Sequence, residues 1–255
     1  DINVLAARPD MRAKIIETLQ YAGAILTPSN ALSELVIGLG IAREKVHTVY
    51  CGIDDTRFYP RDRSECEQQL GLSGGKKRVI FVGNFKVAKG VIDYLKGVAT
   101  LAKERTDFEA LLVGKGEDDH LVRSAIHELG IESVVRYVGE VNHDQLNAWM
   151  NASDCLCLPS YAEGLPNVVL EALKTGISVV ATDVGGIPEA VENSDECLFK
   201  PGDIPALASR LKAALFDPDY CSRPGFQIGS YEEMAQKVMG ITRAVIQQFE
   251  GARTA

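Results

Sequence analysis

The chain has 255 residues, 46% hydrophobic and 24% charged, an ordinary globular balance with enough length for one large domain or two small ones. Its net charge is −8 with acids and bases interspersed, which argues against a broad basic footprint for nucleic acid while leaving room for local phosphate sites. No run of about 18 apolar residues and no secretory leader is visible, so neither a membrane span nor export is expected, and the six scattered cysteines, none in a C-x-x-C pair, read as small buried thiols in a reducing, cytoplasmic setting.

The opening "DINVLAARPDM" has no initiator Met and no leading strand, so the chain is read as a piece of something larger. Residues 1–54 then give a helix from about Pro9 to Tyr21, a strand "GAILTP", a helix "NALSELVIGLG" and a strand "KVHTVY" ending in "CGID", the expected tail of a preceding α/β domain. The polar stretch 55–77, with Pro60 and Ser73-Gly74-Gly75, is the expected linker. From Arg78 onward, short apolar runs alternate with amphipathic stretches, the pattern of βαβ units in a parallel sheet. Strands are expected at 78–83, 109–114, 134–139, 154–159, 178–182 and 197–200. The helical stretches between them, several closing on Gly, predict an α/β, doubly wound, Rossmann-like sheet over 78–225 with helices on both faces. "DPDYCSRPGFQIGS" breaks the pattern before a last helix within 226–255, expected to pack back on the N-terminal residues.

In an open parallel sheet, ligands bind beyond the carboxyl ends of the strands. The loops there are glycine-rich: "VGNFKVAKG", "VGKGEDD", "VGEVNH", "PSYAEGLPN" and "TDVGGIPE". In "EGLPNVVLE", Pro166 suits a first helical turn, which sets Glu171 about 7 Å farther along the axis than the start of its helix. Glu163 and Glu171 therefore cannot share one proton or one metal. Each carboxylate can accept from a pair of neighbouring hydroxyls, and the backbone N–H groups around Gly164 to Val168 form a helix start suited to phosphate. Hydroxyl pair, diphosphate, hydroxyl pair describes a nucleotide sugar. The alternative reading stands beside it: Glu163 as a dipole or capping partner and Glu171 as a solvated helix residue.

The stretch "SYAEGLPNVVLEALKTGISVVATDVGGIPEAV" resembles the Glu-x7-Glu region of the retaining glycosyltransferases of family 4, also called glycosyltransferase group 1, whose fold is GT-B. "AGAILTPSNAL", "KVHTVYCGIDDTRFYP", "VGNFKVAKG", "LLVGKGED" and "YVGEVNHDQLNAWMNASDCLCLPS" fall in that family's order. The resemblance implies a C-terminal, donor-binding domain preceded by part of an acceptor-binding domain. It implies that Glu163 contacts hydroxyls of the donor sugar and Glu171 those of the ribose, with backbone contacts from Gly164, Leu165, Pro166 and Asn167. Lys89 would neutralise the diphosphate, with Gly83 admitting the loop; an exposed lysine without a ligand is the plain alternative. Tyr137 and Val138 would border the base. The implied partners are a nucleoside-diphosphate sugar and a saccharide or lipid-linked acceptor, with room for peripheral contact at the inner membrane face through the upstream domain. Nothing calls for a tightly bound metal or other cofactor.

Two positions depart from the family's pattern. Asn84 stands where an Arg is common, removing one positive charge from the diphosphate clamp, and Cys51 replaces the usual Asn in "CGID". The four histidines, His47, His120, His127 and His143, match no motif position and are assigned no catalytic role. As it stands the chain is expected to hold mainly the donor half and to transfer nothing alone. The competing readings are a nucleotide-sugar epimerase of the same fold and a non-catalytic nucleotide-sugar-binding module. A nicotinamide dehydrogenase is disfavoured, because no G-x-G-x-x-G follows "RVIFV".

Overall fold

The computed structural model describes residues 2–192, 196–220 and 222–254. The first part contains helices α1 (Ile2–Leu5) and α2 (Pro9–Gln20), strand β1 (Ile25–Thr27), helix α3 (Asn30–Gly38) and strand β2 (Val46–Thr48). β1 and β2 pair in parallel, Ile25 opposite Val46, and α3 covers them through buried Val36 beside Ile25 and Ile41.

The rest is built on six parallel strands: β3 (Lys77–Val82), β4 (Phe108–Val113), β5 (Val135–Gly139), β6 (Cys155–Leu158), β7 (Ser178–Thr182) and β8 (Leu198–Phe199), in the order β5-β4-β3-β6-β7-β8. All six expected strands are present, each end within one residue of the expected one. Side chains alternate between the two faces, as the pleat requires. Val79, Phe81, Ala110, Leu112, Cys155 and Cys157 lie in one core, which α5 (Val91–Ala102) and α10 (Ile204–Phe216) cover. Ile80, Leu111, Val113, Leu156 and Leu158 lie in the other, which α7 (His143–Asn151) and α8 (Asn167–Thr175) cover. Helix α6 (Asp119–Glu128) packs beside α5, and the one-turn α9 (Ile187–Ala190) follows β7.

The segment expected to be a linker is not an open tether. It holds α4 (Arg63–Gln69), which packs on α7 with Cys66 and Glu67 buried. Its polarity misled because the buried partner of Glu67 is itself a charge, Arg78, which is wholly buried. Asp62 caps α4 by accepting from the Glu65 amide at 3.0 Å.

The last helix, α11 (Tyr231–Thr254), half-buries Met234, Val238, Ile241 and Val245 at helical spacing. It lies against Gly23: a Cβ there would stand 2.6 Å from Val245 Cγ1 and 3.0 Å from Phe249. Just before α11 the chain runs beside the passage from β2 to the main sheet. Ile53 bridges Ser230 in parallel, the Ile53 amide donates to the Gly229 carbonyl at 2.9 Å, and a Cβ on Gly52 would meet the Ser230 carbonyl oxygen at 2.2 Å. Only glycine fits at 52. Among the described residues, no helix is long and apolar enough to cross a membrane.

Candidate active site

The strand order reverses between β3 and β6, so the loops that leave these neighbours diverge and open a crevice at their carboxyl ends. Those two loops carry Lys89 and Glu163. They are stitched together: the Tyr161 amide donates to the Ala88 carbonyl at 3.0 Å, and Gly90, at φ 71°, sits where a Cβ would be 1.9 Å from the Pro159 carbonyl oxygen. The stitch brings Lys89 Nζ to 2.7 and 2.9 Å from the two Glu163 carboxylate oxygens. The acid is buried and its lysine half-exposed.

After Glu163, the Gly164 carbonyl accepts from the Gly186 amide at 2.6 Å, and a Cβ on Gly185 would meet the Glu163 carbonyl oxygen at 2.0 Å. The "GG" of "TDVGGIPE" therefore exists to let one loop lie on the other. Leu165 and Pro166 are buried, Asn167 exposed. Pro166 is the residue flanking α8 (φ −74°, ψ 121°) rather than its first helical residue, and the helix begins without a side-chain cap. Its first amides are therefore open to an acceptor from outside the chain. Glu171, four residues into α8, is 8% exposed. No partner is recorded for its carboxylate among the described residues, and burial pushes it up to about 7.

Two clefts flank this crevice. The first, about 510 Å³, is bordered by Gly83 and Asn84 after β3, Gly114 to Glu117 after β4, Glu140 and Val141 after β5, and His143 at the start of α7. Its rim is fixed by Phe85, a wholly buried ring packed edge-on to Tyr137. The Phe85 amide donates to the Lys115 carbonyl at 3.0 Å and its carbonyl accepts from Asp118 at 3.1 Å. Asn84 and Lys86 flank that anchor on the cleft wall. The second cleft, about 370 Å³, lies between Ala31, Leu32 and Leu35 of α3 on one side and Tyr161, Ala162, Glu163 and Gly185 on the other.

Of the residues singled out in the sequence, Gly83 and Asn84 border the first cleft, Glu163 borders the second, and Lys89 joins Glu163 between the two loops. Glu171 lines neither cleft. Val138 is half-buried against core residues, the wall near it being Glu140 and Val141, and Tyr137 turns its hydroxyl to Asp119. Lys86 and Lys115 escaped the sequence reading. Both border the first cleft on ion pairs with exposed acids, Lys86 with Glu117 at 3.2 Å and Lys115 with Glu140. Their place in the loops after β3 and β4 was the available signal. Asp118, just before α6, accepts on Oδ2 from the Val87 amide at 2.8 Å.

Comparisons with known proteins agree with this layout. The enzyme N-acetyl-alpha-D-glucosaminyl L-malate synthase of Bacillus anthracis is 29% identical over 220 residues, 86% of this chain and 57% of that protein. A D-inositol 3-phosphate glycosyltransferase of Streptomyces avermitilis is 32% identical over 233 residues, covering 85% of this chain and 50% of the relative. The chain thus spans about half the length of these curated relatives. Among solved structures, sucrose-phosphate synthase of Thermosynechococcus elongatus superposes with a TM-score of 0.81 at 23% identity, over 94% of this chain and 63% of that one. The Anabaena protein HepE in complex with UDP-glucose does so with a TM-score of 0.74 at 23% identity, over 95% and 68%. These neighbours share the GT-B fold, whose Rossmann-like sheet is the six-stranded one described above. The sequence profile described as Glycosyl transferases group 1 matches residues 62–227, from the cap of α4 to the approach to α11 and through every loop of the crevice, and the chain belongs to that family.

Proposed function

We propose that the chain is the donor-binding half of a retaining glycosyltransferase of family 4, which moves a sugar from a nucleoside diphosphate to a saccharide or lipid-linked acceptor. The observation that carries this is the Lys89–Glu163 pair, held at the switch point of the sheet beside the uncapped start of α8. In this reading the diphosphate lies against the first amides of α8 and draws Lys89 from Glu163. The freed carboxylate then accepts from the sugar hydroxyls. As the glycosidic bond breaks, negative charge grows on the leaving diphosphate, and Lys89 with the helix dipole stabilises it without a covalent enzyme nucleophile. Glu163 and Lys89 are the groups proposed to act at the reacting centre. Gly83, Asn84, Val138, Gly164, Leu165, Pro166 and Asn167 are proposed as donor contacts, with Glu171 accepting from the ribose. A buried acid with no partner among the described residues suits that task, since two hydroxyls would replace the water it lost.

The names of two relatives, a glucosaminyl L-malate synthase and a D-inositol 3-phosphate glycosyltransferase, support a hydroxyl-bearing acceptor. The likeness to the UDP-glucose complex supports a nucleotide-sugar donor. Residues 1–54 are proposed as the end of an acceptor-binding domain, with α11 packing back on it through Val245 and Phe249 at Gly23, and the enzyme is proposed to be cytoplasmic, with room for peripheral contact at the inner membrane face, and to need no tightly bound metal.

Calorimetric titration with UDP, GDP and ADP and their glucose conjugates tests the site. One diphosphate should bind and raise the melting temperature by mass action. Glu171→Ala should abolish that shift, and Glu163→Ala should weaken the conjugate more than the bare diphosphate. Failure of every nucleotide to bind folded protein would reject the reading; equal losses in Glu163→Ala would reject the division of labour.

A further inference from the structure

Glu189, one turn beyond the glycine pair, reaches back across more than 150 residues of chain. Its two carboxylate oxygens accept from the Ala31 amide at 2.6 Å and the Asn30 amide at 2.8 Å, the first two of α3. Ser29 caps the third by accepting from the Leu32 amide at 3.3 Å. Amides at a helix start have no partner within the helix and carry the positive end of its dipole, so a carboxylate there is held by charge as well as by two hydrogen bonds. The Tyr50 hydroxyl donates to the same carboxylate at 3.0 Å and accepts from Asn30 Nδ2 at 2.8 Å. Thr48 closes the ring on Asn30 Oδ1 at 2.8 Å, and the Tyr50 ring stacks on Phe226 at 3.9 Å.

This network joins the walls of the second cleft. One wall is α3, through Ala31, Leu32 and Leu35; the other is the Glu163 loop, on which Gly185 and Gly186 lie. Glu189 stands on the short helix that those glycines open. We infer that Glu189 is a positioning residue, which clamps the start of α3 to the glycine turn and so sets the width of the cleft that takes the hydroxyl-rich sugar unit at Glu163. The clamp itself rests only on geometry, whereas the identity of the cleft's occupant rests on the proposed function. Leu32, Leu35 and the Tyr161 ring offer apolar contact to a sugar's C–H face while Glu163 accepts from its hydroxyls. A shift of α3 by a fraction of a hydrogen-bond length would lose that fit without touching the start of α8 or the first cleft.

The test takes the full chain as Glu189→Ala and Glu189→Gln. Hydrogen exchange reads the clamp with no ligand present: the amides of Asn30 and Ala31 should exchange at least about tenfold faster in Glu189→Ala and less so in Glu189→Gln, which keeps one accepting oxygen. Titration reads the cleft with the diphosphate and glucose conjugate that bind the unaltered chain. The conjugate should weaken by about tenfold in Glu189→Ala while the diphosphate stays within about twofold, and Glu189→Gln should recover part of the loss. Unchanged exchange at both amides overturns the clamp, as does equal weakening of the two ligands together with a lowered melting temperature. If no nucleotide binds the unaltered chain, the proposed function fails while the exchange result still decides the clamp.

Discussion

The two ends of the same six strands treat charge in opposite ways. At their amino ends Arg78 is wholly buried yet donates to Glu67 and Glu109 and to the Ser73 carbonyl, while Arg136 reaches Glu109 at 2.7 Å. Asp154 accepts from Arg63, Lys77 and the Arg78 amide. Burial pushes the Asp154 and Glu109 carboxyls up, but these hydrogen bonds and neighbouring cations outweigh it and hold both below the usual carboxylate range. At the carboxyl ends Glu163 is paired with Lys89, but Glu171 is buried with no partner for its carboxylate among the described residues, and the lysines of the first cleft rest on exposed acids. Charges that are closed among themselves hold a fold; charges left open are free to be completed by something that arrives.

The largest effect that would sharpen this contrast comes from the closed end. Arg78→Met should destabilise by about 3–5 kcal/mol, the cost of leaving buried carboxylates short of a cation, read as a lower denaturation midpoint with no selective change in nucleotide affinity. Next is pH. Glu171 is raised in the folded chain from 4.5 to about 7, so the folded state binds the extra proton, and stability should fall by roughly 3 kcal/mol as pH rises from 4.5 through 7. The lowered carboxyls of Asp154 and Glu109 act in the other sense: their contribution is complete above their unfolded values and is lost as pH falls below 4. Maximum stability should therefore lie near pH 5, and Glu171→Gln should flatten only the alkaline limb. A profile unaltered by that substitution would break the comparison. Nucleotide affinity should rise with pH across 6 to 8, because hydroxyls donate to the carboxylate form. Smallest, Lys86→Met should leave the melting curve unmoved and weaken the nucleoside diphosphate by up to about fivefold, the weight of one exposed charge.

The sheet was legible because its strands are short runs of Val, Ile, Leu and Cys set off by glycine, and a parallel strand buried on both faces needs little else. Glu163 and Glu171 were singled out by local spacing and Lys89 by the family resemblance, and the structure brings Glu163 and Lys89 together. The α4 segment was not, since a buried charge network reads as surface polarity until both halves are seen. Pro166 sits one residue outside the helix it was expected to begin, a margin that sequence pattern does not resolve. Glu189 had no local signal of its role at all: its partners stand at residues 30, 31 and 50, and only folding makes them neighbours.

The side-by-side passage of residues 52–53 and 229–230 has a mechanical consequence. A single covalent tether would leave the first part of the chain free to swivel in any direction about the sheet. Two segments hydrogen-bonded side by side resist twisting, and with Glu189 holding the start of α3 to the glycine turn they fix the two walls of the second cleft at separate points, with Gly52 as the residue that lets the two segments touch.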